Sequence, residues 1–404
     1  MPNTPQLLPP RSNARLTVLI AAHNEEQSIG ATLDSVLAQE RQPDRVVVAA
    51  DNCTDHTVEI ARSKNASTPG DARVAVFETV ENTHKKAGAL NQAWGMTRAD
   101  TDLYICIDAD TVLPPNALGD WANEFDQDDK LAGCSAKFTM LSSQEMAGLA
   151  RQGLVPITAG EFPGLTFRER MWCRMQKAEF AKWTDTALMR DRRWTSVLAG
   201  TACAIRASAL SDVVIRRQQR GQEAEPWTYS SEVEDFELTY RLRELGYECR
   251  VSADVRAYTG AMLTLKTLWA QRLKWQVGTV RDLKSIGVNR LTVVDWWQQC
   301  LGLVSALLRV SWVTLLVLGI ALSGHLEMFR FWWIFPVAFV ICDIREAWRI
   351  PHRTWADVLM AAVLLPQELF AWVRAAWFTW SWVEVLTGRT RDRWALQIAA
   401  ESRQ

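Results

Sequence analysis

The sequence predicts an α/β fold, a mostly parallel sheet covered by helices, followed by an apolar helical region. Three observations carry that expectation. Short β-rich runs alternate with helix-period segments through the first half of the chain, as in sheets built from β-α-β units. The run Leu103 to Thr111 (LYICIDADT) is apolar and ends on two carboxylates one residue apart. Trp-rich, apolar sequence gathers after Cys300, while the preceding half alternates like a soluble enzyme.

Composition narrows the class. A chain of 404 residues can bury a sizeable core and form more than one structural unit. Its 45 basic and 46 acidic residues leave a formal charge of −1, so charge gives no argument for a nucleic-acid partner, and none is expected. The eight Cys lack paired metal-ligand spacing and read as reduced core thiols. Residues 1–15 are polar and Pro-rich, a flexible segment without the apolar core of a signal peptide. The first half is therefore expected to stay in the cytosol.

Taken in order, Leu16 to Ala22 reads as a first strand, followed by His23-Asn24-Glu25-Glu26 and a helix from Ser28 to Leu37. Arg45 to Ala50 is a second strand ending at Asp51, which suits either a hydrogen-bond acceptor for a nucleotide base or an ordinary N-cap. Val74 to Thr79 is a third strand, and Lys85 to Trp94 a loop leading into a helix. Lys86 precedes a small-residue turn, where an ammonium can reach phosphate oxygens or simply be solvated. The chain has neither a GxGxxG fingerprint nor a GxxxxGK[ST] loop, which lowers the dinucleotide and P-loop readings.

Leu103 to Thr111 is the strand around which the rest is organised, and Pro114-Pro115 prevents its simple continuation. Asp108 and Asp110 then fall at its C-terminal edge, where open α/β sheets bind ligands. Two hard oxygen donors there suit a divalent cation carrying a diphosphate, and equally a solvated acidic turn. Leu131 to Leu141 reads as strand and loop, and Ser142 to Asp185 as a loop plus amphipathic helices. Gly200-Thr201-Ala202 permits close backbone approach to a ligand, or tight strand packing. Glu232 to Leu245 has helical spacing with Glu234 and Asp235 at its start, either as dipole-favourable caps or as a proton acceptor for an attacking hydroxyl.

Ala261 to Lys284 carries Gln271-Arg272-Leu273-Lys274-Trp275 on an expected interfacial helix. Arg272 and Trp275 are i,i+3 neighbours that can address one site or pack and snorkel. Leu301 to Leu322 has the ~20 residues a bilayer helix needs, with Arg309 its costly exception. Phe329 to Cys342 and Ala356 to Trp382 are further apolar regions, the latter interrupted by Pro366 and Glu368. Arg345, Arg349 and Arg353 form a basic connection, and the C-terminal Arg389, Arg391, Arg393 and Arg403 match it, which favours a cytoplasmic tail and an even number of crossings.

The ordered set Ala22-His23-Asn24-Glu25, Asp51, Lys86-Ala87-Gly88-Ala89-Leu90-Asn91, Asp108-Ala109-Asp110, Glu234-Asp235 and Gln271-Arg272-Leu273-Lys274-Trp275 resembles membrane-integrated, processive-type family 2 glycosyltransferases. These include bacterial poly-N-acetylglucosamine, hyaluronan, chitin and cellulose synthases of GT-A architecture. The resemblance implies a cytosolic GT-A domain over 16–260, interfacial helices over 261–299, a membrane region over 300–388 and a basic tail over 389–404, placed in a bacterial cytoplasmic or host membrane. It implies inverting, metal-dependent transfer from a UDP-sugar to a glycan acceptor, extending a β-linked polysaccharide. Transfer of one sugar to a lipid or other membrane acceptor is the alternative; a silent membrane scaffold is a third reading.

By the same resemblance, Ala22, Asn24, Glu25 and Asp51 belong to the nucleotide site, with Asp51 on uracil. Lys86 approaches the diphosphate, Asp108 the nucleotide or ribose side, and Asp110 holds Mg²⁺ or Mn²⁺. Asp235 of the Glu234-Asp235 pair is the general base. Gln271, Arg272 and Trp275 close over the pyrophosphate and position the acceptor. Three departures stand out: Ala22 and His23 replace a proline and an aromatic, Lys274 replaces an arginine, and the family's usual N-terminal spans have no counterpart before Leu16. The last bears on polymer length and export, for which a homo-oligomer or channel partner is expected to compensate.

Overall fold

The computed structural model describes residues 13–66, 73–158, 160, 164–189, 194–325, 334–389 and 391–401. Residues 1–12 of the N-terminal segment, 326–333 at the start of the second apolar region, and Arg403 lie outside the described residues. Two compact units divide the chain. The first comprises Met1–Pro163, Thr186–Tyr229 and Glu234–Gly260, the second Gly164–Asp185, Ser230–Val233 and Ala261–Gln404.

The first unit is an α/β sheet with helices. Its strands are β1 (Leu16–Ala22), β2 (Arg45–Ala50), β3 (Arg73–Glu78), β4 (Leu103–Asp108), β5 (Leu131–Leu141), β6 (Ala202–Arg206) and β7 (Glu248–Gly260), in the order β3-β2-β1-β4-β6-β5-β7. The helices are α1 (Ile29–Leu37), α2 (Thr57–Ala66), α3 (Lys85–Thr97), α4 (Ala117–Asp126), α5 (Ser143–Arg151), α7 (Ala207–Gln219) and α8 (Glu234–Glu244); α6 (Phe167–Met189) begins in the second unit. β1 and β4 are buried almost throughout because, in an inner strand, both faces meet other elements. Tyr104 and Trp121 are among the largest fully buried side chains, and the Tyr104 hydroxyl lies 3.1 Å from that of Thr97.

Register sets the functional edge. Ala22 of β1 pairs with Ala50 of β2, and Ala21 with Asp108 of β4, so these strands end level. Chain order reverses on the two sides of β1, the place where open sheets bind ligands. The sheet is mostly parallel, as expected, with one exception: β6 runs antiparallel to both β4 and β5. That reversal brings the start of β6, and hence Gly200, to the same edge as the end of β4, since Ile107 pairs with Ala202. β7 pairs parallel with β5 and is bridged to Val112 at Tyr258, so Thr259 and Gly260 arrive beside Asp110.

The second unit holds α9 (Leu265–Ile286), α10 (Val293–Ser323), α11 (Ile334–Trp348), α12 (Trp355–Ala362), α13 (Leu364–Leu386) and α14 (Arg393–Glu401); α9 packs against α13 and α14, and α13 also meets α10, α11 and α12. Thr264 caps α9 by accepting from the Thr267 N–H, and Gly287 ends it at φ 81°. Leu273, Val277, Val280, Phe370 and Trp377 form its apolar core. A buried carboxylate, Asp357, is held by Lys177 at 3.1 Å and Arg174 at 3.3 Å. Among the described residues, one helix, α10, is long and apolar enough to cross a membrane, with mean hydropathy 2.1 over its most apolar window. α12 and α13 pass the same test only as a pair bent by 79°, and the second region read from sequence lies partly outside the described residues. Arg309 of α10 is ion-paired with Glu368 of α13 at 2.5 Å.

Candidate functional site

The turns after β1 and β2 are tied to each other. Asn24, at φ 56°, accepts the Thr54 N–H on its side-chain oxygen at 2.7 Å, and the Glu25 N–H donates to Thr57 Oγ1 at 2.7 Å. Glu25 Oε2 accepts from Ser28 Oγ at 2.6 Å. Ala22 is buried and contributes backbone, its carbonyl accepting the Asp51 N–H at 2.7 Å. Asn24 and Glu25 thus shape the loop, and Asp51 lies buried at the edge of the sheet. Asp51 is not the cap of α2: Asp55 Oδ1 takes the Thr57 N–H at 3.0 Å instead.

Lys86, Asp108, Glu234 and Asp235 converge. The Lys86 ammonium is ion-paired with Asp108, donates to the Gly200 carbonyl at 3.2 Å and stands 3.8 Å from Glu234. Burial works against its charge, but Asp108 and Glu234 outweigh it and hold the pKa above lysine's ordinary value. The Gly200 N–H donates to Asp235 Oδ2 at 3.1 Å, and the Phe236 N–H to Oδ1 at 2.8 Å. A Cβ at 200 would come 2.8 Å from the Lys86 Nζ and push the ammonium from its seat, so the bare glycine lets Lys86 approach this closely. Burial pushes the Asp235 carboxyl above its ordinary value, against the Gly200 N–H and Lys86. Lys86, Cys106, Gly200, Cys203, Glu234 and Asp235 line one pocket. A carboxylate, an ammonium and a backbone N–H on that pocket can bind an anionic leaving group and accept a proton.

Asp110 sits one turn beyond, its Oδ2 accepting from Thr259 Oγ1 at 2.9 Å. Burial and the neighbouring charge of Asp108 push its carboxyl up to about 6. Among the described residues no three His, Cys, Asp or Glu side chains gather as a metal set. A small divalent cation bound through substrate phosphates needs only one or two protein carboxylates, and an adjacent acidic pair with a raised carboxyl suits that cation. The residues present therefore fit a metal that arrives with a diphosphate.

The Gln271, Arg272 and Trp275 side chains form a cluster within the second unit. Arg272 lies between two aromatic faces, 4.8 Å from Phe180 and 4.5 Å from Trp275, and bonds Glu179 at 3.1 Å and Gln271 at 2.9 Å. Burial lowers its pKa, with Glu179 opposing. Lys274 points elsewhere, over Trp394 of α14 at 3.2 Å.

Sequence reading singled out Gly200 without its partners and missed Thr259. Thr259 carried no local signal, since its target is 149 positions away.

A family profile described as "Glycosyltransferase like family 2" matches residues 13–278. The chain belongs to that family. It is 22% identical over 263 residues to the poly-beta-1,6-N-acetyl-D-glucosamine synthases of Staphylococcus aureus and Staphylococcus epidermidis, covering 65% of this chain. The match takes in 54% of those proteins, so the chain spans about half the length of the curated relatives it matches. A mannosyltransferase from Pyrobaculum calidifontis, solved with GDP-Man and Mn²⁺, superposes with TM-score 0.56 at 16% identity, over 93% of this chain and 88% of that one. The family 2 chain thus has a mixed α/β, GT-A-like fold.

Proposed function

We propose that this family 2 protein transfers a single sugar from a nucleoside-diphosphate sugar to a lipid-borne or other membrane acceptor. The observation that carries the reading is the convergence of Lys86 and Asp235 on one pocket through Gly200, with Asp108 ion-paired to the Lys86 ammonium. A cation for a departing phosphate and a carboxylate for an incoming hydroxyl then act on the same bond. Asp235 accepts the acceptor's proton as the oxygen attacks the anomeric carbon, with inversion; Glu234 and Lys86 bias the charge of the pocket. Asp110, beside Asp108, would hold Mg²⁺ or Mn²⁺ against the diphosphate, and that ion would supply leaving-group charge stabilisation. Asp51 with the Ala22-Asn24-Glu25 loop serves the nucleoside. On the resemblance of their motif, Gln271, Arg272 and Trp275 serve the pyrophosphate and the acceptor.

Likeness of fold across nearly the whole chain to a protein described as a mannosyltransferase supports sugar transfer from a nucleoside-diphosphate donor. The apolar face of α10 supports a membrane setting, with 16–260 as the cytosolic catalytic part, 261–299 interfacial, 300–388 membrane-associated and 389–404 a cytoplasmic tail. The second reading, processive extension of a β-linked glycan with an oligomer or channel partner, is favoured by the synthase relatives. Product mass after a limited acceptor pulse separates them: one added sugar supports the proposal, and a repeating ladder supports the second reading.

A further inference from the structure

The donor edge holds a polar cluster around Asp51. Asp51 is 6% exposed, and its Oδ1 accepts three hydrogen bonds: from Asn52 Nδ2 at 2.9 Å, Thr79 Oγ1 at 2.9 Å and Asn82 Nδ2 at 2.8 Å. The donors are themselves held. Asn52 Nδ2 also donates to the Asn82 carbonyl at 3.1 Å, and Asn82 Nδ2 to the Lys85 carbonyl at 2.8 Å. Asn82 Oδ1 receives the His84 N–H at 2.9 Å. Gly88 makes room for this arrangement, since a Cβ there would come 1.9 Å from Asn82 Oδ1. None of these three donors reaches Oδ2.

A carboxylate oxygen has about two lone-pair sites, so three donors leave Oδ1 no capacity for a fourth. We infer that Asn82 is a specificity-determining positioning residue: with Thr79 and Asn52 it saturates Asp51 Oδ1, so the carboxylate offers one acceptor and matches a nucleobase edge with a single ring N–H, as in uracil. Guanine presents two adjacent donors, the ring N–H and the 2-amino group, and one of them goes unmatched. A buried unmatched donor is costly, which converts the geometry into selectivity. The inference rests on the proposed reading of Asp51 as the nucleobase contact.

Calorimetric titration of the detergent-purified full chain with UDP and with GDP, in Mn²⁺, tests it on wild type, the double variants Asn82→Ala/Thr79→Val and Gly88→Ala/Thr79→Val, and Asp51→Asn. Wild type is expected to bind UDP about tenfold tighter than GDP, the scale of one unmatched donor. Each double variant leaves one donor on Oδ1 and should bring that ratio toward one. The second displaces Asn82 without removing it, so the test survives if the first fails to fold. Equal or tighter GDP binding by wild type overturns the inference, as does an unchanged ratio in the double variants. If Asp51→Asn weakens UDP while those ratios stay fixed, the inference fails and the base contact stands. If Asp51→Asn changes neither nucleotide, the base contact itself is wrong and the inference falls with it.

Discussion

Gly200 and Asp235 are joined by a backbone N–H to carboxylate bond of 3.1 Å, although 35 residues separate them. The same glycine's carbonyl takes the Lys86 ammonium at 3.2 Å, so one residue without a side chain sets both charges of the pocket. Gly200→Ala should displace Lys86, because the new Cβ would meet Nζ at 2.8 Å. A displacement near 1 Å in such a site lowers kcat by up to about a hundredfold. Steady-state kinetics with an unchanged melting profile checks this, and wild-type kcat would sink the positioning role.

In the proposed mechanism Asp235 is the base, a role that requires its ionised form, and burial raises its pKa above the ordinary aspartate value. As pH falls through that raised pKa, the base takes a proton and kcat/KM declines; as pH rises, it recovers. The acid limb is expected at higher pH than free aspartate gives, and Asp235→Asn should remove it while lowering kcat by roughly 10²–10⁴. A pH–rate profile of the variant that keeps the wild-type limb would assign it to another group.

Arg272 is stacked between Phe180 and Trp275 and bonded to Glu179, geometry that suits a planar fork. Lysine keeps the charge and loses the plane and the second donor. Arg272→Lys is expected to cost roughly 1–3 kcal/mol of stability through the lost charged hydrogen bond and stacking, read by thermal or denaturant unfolding. An unchanged transition would show the cluster to be energetically idle.

Lys274 departs from the arginine usual in its motif and lies over Trp394. Trp394→Leu should therefore loosen α14 from α9, lowering stability by about 0.5–2 kcal/mol and raising hydrogen exchange in 391–401. Unaltered exchange there would mean that other contacts, such as the Arg393–Glu384 ion pair, hold the helix alone.

The fold was legible where periodicity speaks. β1, β2 and β4 are apolar runs ended by polar turns, and Asp108 and Asp110 lie at the end of β4 and just beyond it, as a strand bounded by acids requires. The direction of β6 was not legible, since a five-residue strand carries no mark of its neighbours' polarity. Lys85 to Trp94 reads as a loop leading into a helix, yet the helix already begins at Lys85. Local pattern left Lys86 open between phosphate and solvent, and only folding shows it seated among Asp108, Gly200 and Glu234. Asn82 and Trp394 gave no signal at all, because each acts on a residue fixed by tertiary packing.

The most direct test is sugar transfer by the detergent-purified chain with UDP- and GDP-sugars, a membrane-lipid acceptor and Mg²⁺ or Mn²⁺, comparing wild type with Asp235→Asn. The account predicts a product heavier by one sugar, formed by wild type and lost in the variant. Transfer at wild-type rate by Asp235→Asn, or no transfer by wild type from any donor, would contradict it.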